Sequence, residues 1–249
     1  MTRIWHQSVN ELDHISAYRA AISQHAANVL PMDVTVTVNG LASGTYGGKS
    51  PTEALGNSAT YHRALSQIVD LAVEAERQGF DAFVIGSFSE PFLREARTAV
   101  DIPVVSMTEA ALTTSCSLGR FAGLISNAPN VQWMARSSVE KHALASRVIE
   151  VASLEPPVDE FELASAYGNP QAIVANFRAT AERLVAKGAD VIVPAEGVLA
   201  RLITGAGLSS VAGAPVLDVF AVAWRQAMMM ADLWRTTDLR PGRAWTYRQ

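Results

Sequence analysis

Ser87 and Glu196 are the residues on which chemistry is expected, because a repeat in the chain sets them opposite one another. The segment from Ala75 (AERQGFDAFVIGSFSEPFLREA) and the segment from Ala181 (AERLVAKGADVIVPAEGVLARLI) share an order of features: a helical Ala-Glu-Arg, a glycine stop, an aspartate, an apolar strand, a turn of small residues and another helix. Setting Gly79-Phe80-Asp81 on Gly188-Ala189-Asp190 without gaps pairs Ser87 with Glu196, each six residues beyond its aspartate and at the end of its strand. A glutamate titrates near ~4.3, and burial among Val193, Pro194 and Val198 would raise Glu196 toward neutrality and make it a competent base. A serine hydroxyl has no accessible anion without a base beside it, and no His or Lys neighbours Ser87 in sequence. Ser87 is therefore expected to donate a hydrogen bond to a developing oxygen rather than to attack as a nucleophile. Each residue also has an ordinary structural reading, Glu196 as an acid at a helix N-terminus and Ser87 as a helix N-cap.

Short apolar, β-branched runs between longer segments of helical period predict βα units and a mostly parallel sheet. Strands are expected near 3–8, 33–39, 81–86, 102–106, 121–126, 147–152, 190–194 and 214–218. Helices are expected near 10–28, 57–78, 90–99, 108–117, 130–143, 170–187, 197–204 and 219–234, with Asn57 and Asn130 as caps and Gly79 and Gly188 as stops. In open α/β sheets ligands bind beyond the carboxyl ends of strands, so Ser87 and Glu196 should flank one cleft if the two halves face each other. The Gly- and Ser-rich stretch from Gly40 to Pro51 follows a strand and is expected to be a mobile loop and a lid over the site. It lacks the spacing of a phosphate-binding glycine loop. Pro156-Pro157 with its neighbouring acids reads as a solvated connection.

Composition narrows the function classes. A chain of 249 residues, 49% hydrophobic and 18% charged, is globular and has material for a large core. The net charge of −4 gives no basic field for a nucleic acid, and the arginines near the end (Arg235, Arg240, Arg243, Arg248) are interleaved with acid and aromatic residues. No run has the length of a transmembrane helix and no secretory signal pattern is seen, so a soluble, cytoplasmic protein is expected. The single cysteine, Cys116, excludes an internal disulfide and a thiolate cluster, and the scattered histidines predict no metal. No cofactor is expected.

Taken in order, Arg3-Ile4-Trp5-His6-Gln7-Ser8, Asp81 to Phe88, Val104 to Ala111, Gly123 to Asn127, Asp190 to Gly197 and Pro215-Val216-Leu217-Asp218 resemble the aspartate/glutamate/hydantoin racemase superfamily over nearly the whole chain. The resemblance implies two pseudo-symmetric parallel-sheet α/β lobes, residues 1–105 plus 218–249 and residues 106–217, with the active site between them and the C-terminal helix returning to the first lobe. It also implies cofactor-free proton transfer at a carbon beside a carbonyl. Racemases of the superfamily carry a cysteine after each of the two strands, one to remove the proton and one to return it. Here those positions hold Ser87 and Glu196, and Cys116 falls in a helix between them. Related decarboxylases resemble racemases that keep one of the two thiols, so a one-base site is the natural reading.

Substrate-holding groups are expected at His6, Gln7 and Ser8 after the first strand and at Ser126 and Asn127 after a middle one, where the family places its binding loops. Tyr46 of the loop, Phe88 and Gly197 complete the expected lining. Glu109 and Asp218 are expected to cap helices, and Met228-Met229-Met230 to be core or an oligomer contact. Three function classes follow. The first is a cofactor-independent isomerase or lyase acting on a small carboxylate or cyclic amide, with Glu196 as base and Ser87 as donor. The second is a hydrolase opening an amide or imide ring with water activated by Glu196, or with Ser87. The third is a non-catalytic binder of small molecules. A homo-oligomer is expected.

Overall fold

A computed structural model describes residues 1–242, so Arg243 and Arg248 lie outside the described residues. Strands β1 (Thr2–Ser8), β2 (Val34–Asn39), β3 (Ala82–Gly86) and β4 (Val104–Ser106) form a parallel sheet in the order β2-β1-β3-β4. Strands β5 (Ala122–Ser126), β6 (Val148–Ser153) and β7 (Val191–Pro194) form a second parallel sheet in the order β6-β5-β7. The expected strand at 214–218 is instead a two-residue pairing of β9 (Ala214–Pro215) with β8 (Ser210–Val211), antiparallel around a turn at Ala212 and Gly213. The segment reaches β7 through a single parallel bridge of Val216 to Ile192, with the Leu217 N–H donating to the Ile192 carbonyl at 2.8 Å.

The repeat has a mechanical basis. The Asp81 carboxylate accepts the Arg3 N–H at 2.7 Å, and that of Asp190 accepts the Arg120 and Phe121 N–H groups at 2.9 and 3.0 Å. Each aspartate thus pins its strand to the strand beside it at the bottom of the sheet, so six residues later both chains emerge at the same height. Gly79 (φ +74) and Gly188 (φ +103) end the preceding helices in the left-handed region, where a side chain would be strained.

The helices are α1 (Ser16–Val29), α2 (Pro51–Ala54), α3 (Ser58–Leu65), α4 (Gln67–Arg77), α5 (Leu93–Ala99), α6 (Met107–Leu118), α7 (Pro129–Lys141), α8 (Glu160–Ser165), α9 (Gln171–Ala186), α10 (Gly197–Gly205) and α11 (Val219–Thr237). The helix expected at 10–28 opens instead with a 3-10 turn, Leu12–His14, and the one at 57–78 is interrupted at Ser66. Asn57 caps α3 through the Thr60 N–H. Asn130 is not a cap: Pro129 opens α7, and the Asn130 amide donates to the Thr52 carbonyl. Asp218 caps α11, whereas Ser106 caps α6 and Glu109, three residues on, pairs with Arg97. Among the described residues, no helix is long and apolar enough to cross a membrane.

A continuous apolar core joins both sheets. On β1, Ile4 faces this core with Val84, Leu124, Val193, Leu199 and Trp224, while Trp5 faces a second cluster with Phe83, Ile85 and Leu65. The alternation of a strand buried on both faces is what allows this. Helix α11 packs on β1, β3, β4 and α6 through Phe220, Ala223, Trp224, Ala227 and Ala231, an apolar stripe at helical spacing. Met230 packs beside the core and Met229 is half exposed.

Candidate active site

The turns after β3 and β7 meet across a narrow cleft lined by Ser87, Phe88, Glu196 and Gly197. A methyl added at Gly197 would lie 3.7 Å from the Gly86 carbonyl oxygen and 2.7 Å from the Tyr18 hydroxyl, so the two turns approach closely and only glycine fits there. Glu196 is the N-cap of α10, and its carboxylate accepts the Val198 and Leu199 N–H groups at 2.8 and 2.7 Å. Burial raises its pKa, opposed by those backbone donors. Capping and cleft position therefore coexist in one side chain, and the cap fixes the carboxylate's aim. The Ser87 hydroxyl accepts the Ser89 N–H at 3.3 Å and lies 3.0 Å from the Ser89 hydroxyl. Ser87 begins no helix: the next, α5, starts at Leu93.

The sequence reading missed four further polar side chains of the cleft, Asn10, Thr52, Ser89 and Glu160. Glu160 opens α8 within the stretch expected to be a solvated connection, yet it is 5% exposed, with Val158 and Leu163 also buried. Glu155, Pro156 and Pro157 are exposed and lie outside any helix or strand, as a solvated connection should, and Glu160 departs from that expectation because another part of the chain covers it. Helix α2 lies over α8: the Ser50 hydroxyl bonds the Asp159 carboxylate, the Thr52 hydroxyl donates to Glu160 Oε2 at 3.2 Å, and Asn127 Nδ2 donates to Thr52 Oγ1 at 3.1 Å. The carboxyl groups of Glu160 and Glu196 hydrogen-bond one another, and burial followed by the charge of Glu196 pushes Glu160 well above the usual carboxylate range. Asp159, which caps α8, and the Ser50-Pro51 start of α2 were the local signals for these two helices.

Six other expected binding residues do not line the cleft. His6 is wholly buried between Phe220, Trp224 and Gly86; it accepts the Trp224 indole N–H at 3.3 Å, and burial lowers its pKa to about 3. Gln7 accepts from Trp5 and donates to the Ser8 carbonyl, and Ser8 accepts the Asn10 N–H. Ser126 bonds the Ala128 and Ala152 carbonyls, and Asn127 holds Thr52 and the Val158 carbonyl from behind. These side chains brace the strand ends. Tyr46 donates to the Val9 carbonyl at 2.7 Å and lines a separate outer cavity of about 360 Å³ that shares Asn10 and Pro51 with the cleft. The loop from Gly40 is likewise pinned, with Glu11 accepting the Gly44 and Tyr46 N–H groups, each at 2.7 Å.

The cleft has a cavity volume of about 40 Å³, room for roughly one or two waters. Among the described residues, no Lys, Arg or His lines it. Buried carboxyl groups, hydroxyl donors and a covering strap are parts suited to proton transfer or water activation in a largely desolvated site.

Comparison with known proteins fits this geometry. A hydantoin racemase of Pseudomonas sp. (strain NS671) is 25% identical over 177 residues, covering 68% of this chain and 66% of that protein. A hydantoin racemase of Rhizobium meliloti is 27% identical over 161 residues, covering 62% of this chain and 61% of that protein, so the chain spans just under two thirds of the length of both. The crystal structure of allantoin racemase from Pseudomonas fluorescens superposes with a TM-score of 0.76 at 19% identity over 99% of this chain and 96% of that one, a likeness of fold. Residues 16–227 match the profile of the Asp/Glu/Hydantoin racemase family, and the chain belongs to that family.

Proposed function

We propose that the protein is a cofactor-independent isomerase that moves a proton at the carbon beside a carbonyl of a small, uncharged cyclic amide of the hydantoin or allantoin kind. Glu196 is the base and Ser87 donates a hydrogen bond to a ring oxygen. The observation that carries this reading is the polarity of the cleft: two carboxyl groups and several amide or hydroxyl groups line it, and no cation among the described residues does. A substrate carboxylate would meet like charge without a counter-ion, whereas ring N–H groups would find acceptors. The similarity to hydantoin and allantoin racemases supports the same substrate class.

In the forward step the C–H bond breaks, its proton passes to Glu196, and the electron pair moves onto the carbonyl oxygen to give a planar enolate. With one base, the proton returns to the face it left unless the intermediate turns over. Exchange with solvent should therefore outrun loss of optical activity. A ring is larger than the cavity of about 40 Å³, so the contacts of α2 with α8 must part for substrate to reach Glu196.

The test uses one enantiomer of a 5-substituted hydantoin in deuterium oxide, with ring-carbon exchange followed by NMR and inversion by polarimetry. Exchange faster than inversion is expected; neither process occurring would sink the reading. Opening of the ring by Glu196-activated water is the second reading, and the same pair of carboxyls favours it, since such pairs also activate water. Oxygen-18 from labelled water in a ring-opened product would select it.

A further inference from the structure

We propose that Glu160 is a catalytic residue that donates its carboxyl proton, as a hydrogen bond, to the carbonyl oxygen beside the reacting carbon while Glu196 takes the proton from that carbon. This rests on the proton-transfer reading above. Glu160 and Glu196 are both buried, line the same small cleft and touch one another. Two carboxylates in contact without a cation cannot both stay ionised, so the pair carries one proton.

The surrounding bonds say which residue holds it. Both Glu196 oxygens accept backbone N–H groups, which favours Glu196 as the anion. Glu160 Oε2 accepts from Thr52, whose own hydroxyl oxygen accepts from Asn127, and the Asn10 side chain also bonds this carboxyl, while the bond between the two acids favours the proton on Glu160. Around Glu160, Tyr18 comes from α1 and Tyr46 from the loop after Gly40, and Asp159 lies on its own helix, engaged with Ser50. Tyr167 and Arg201 act on one another beside Glu196. Burial and the nearby acids hold all three phenols above their usual range, so they stay neutral beside the carboxyl pair. Asn10 Oδ1, buried in the cleft without a partner, is a second polar atom awaiting a ligand.

When substrate displaces the contact between the two carboxyls, the Glu160 O–H turns from Glu196 to the ring oxygen. Its O–H bond is not broken: the C–H proton moves to Glu196, the charge develops on the ring oxygen, and the neutral acid stabilises it there. Ser87 is left to hold the remaining ring carbonyl from the facing turn.

The experiment compares the wild-type chain with Glu160→Gln and Glu160→Ala, each checked for folding by circular dichroism. Solvent exchange of a 5-substituted hydantoin is measured against pH, and the C=O stretch of a protonated carboxyl by infrared spectroscopy. Glu160→Gln keeps a donor, so its rate should stay within about tenfold and the decline at high pH should vanish, whereas Glu160→Ala should lose about 100-fold or more. The infrared band should disappear in Glu160→Gln. An unchanged band, or an unchanged pH profile in Glu160→Gln, overturns the proposal. No exchange by the wild type overturns it too, together with the reading it rests on; a band still lost in Glu160→Gln would then locate the error in the substrate class and not in the proton's place.

Discussion

Two buried carboxyl sites, solved in opposite ways, lie on either side of the turn after β3. Glu90, three residues beyond Ser87, has no exposed side-chain surface and is met by Lys141 at 2.5 Å, His142 at 2.7 Å and the Ser106 hydroxyl at 2.6 Å. Burial opposes its ionisation, but the hydrogen bonds from His142, Lys141 and Ser106 prevail and hold it below the usual range. It ties the turn to the end of α7 and the start of α6 as a fixed anion. Glu160 and Glu196 have the same burial and no cation, so their proton affinity rises instead. The contrast teaches that at these strand ends counter-ions, not burial, separate a structural carboxylate from one free to exchange a proton.

The largest effect expected from this difference is on activity. Glu196→Gln should lower the exchange rate by about 100- to 1,000-fold and cost about 1–2 kcal/mol in urea unfolding, because its amide can accept only one of the two cap N–H groups; a rate within about threefold would break the comparison. Next comes Glu90→Ala, which strands Lys141 and His142 and should destabilise the fold by about 2–4 kcal/mol in urea unfolding, with Glu90→Gln milder. If both variants unfold like the wild type, Glu90 is no strut.

The pH dependence of stability should carry opposite signs at the two sites. A depressed carboxyl such as Glu90 gives stability that is present above the ordinary glutamate value and lost as pH falls through its folded value. The raised pair does the reverse: its contribution is complete below the ordinary value and is lost as pH rises through its folded value. Every tenfold difference in proton affinity between the folded and unfolded chain corresponds to about 1.4 kcal/mol. Glu160→Gln should thus flatten the decline on the alkaline side and Glu90→Gln the decline on the acid side, read from urea midpoints across pH. His6 adds a decline of its own as pH falls from 6.5 toward its folded value of about 3, which His6→Gln should remove. The smallest effect is at Ser87. Ser87→Cys should leave stability within about 0.5 kcal/mol and raise inversion relative to exchange, by returning a proton carrier to the facing turn. An unchanged ratio would mean that the two turns do not address opposite faces of the ring.

Ser87, Phe88, Glu196 and Gly197 were legible as neighbours before any coordinates because their placement is local. An aspartate pin, a strand of fixed rise and a turn bring each residue to the sheet's rim. His6, Gln7, Ser8, Ser126 and Asn127 also sit at strand ends but are turned into the layers above and below the sheets. Which way a rim residue turns depends on what packs over it, and for His6 that is α11, more than two hundred residues away in sequence. Glu160 looked like a solvated acid because nothing near it announces the strap, α2, that covers it.

By itself, then, the sequence determined the two matched βα units, the height at which Ser87 and Glu196 emerge and the hydroxyl and carboxyl that stand at those two strand ends. The tertiary structure alone decided that Glu160 shares a proton with Glu196 and that Glu90 does not. Proton affinity answers to charges and donors within a few ångströms, and those neighbours come from segments that only folding brings together.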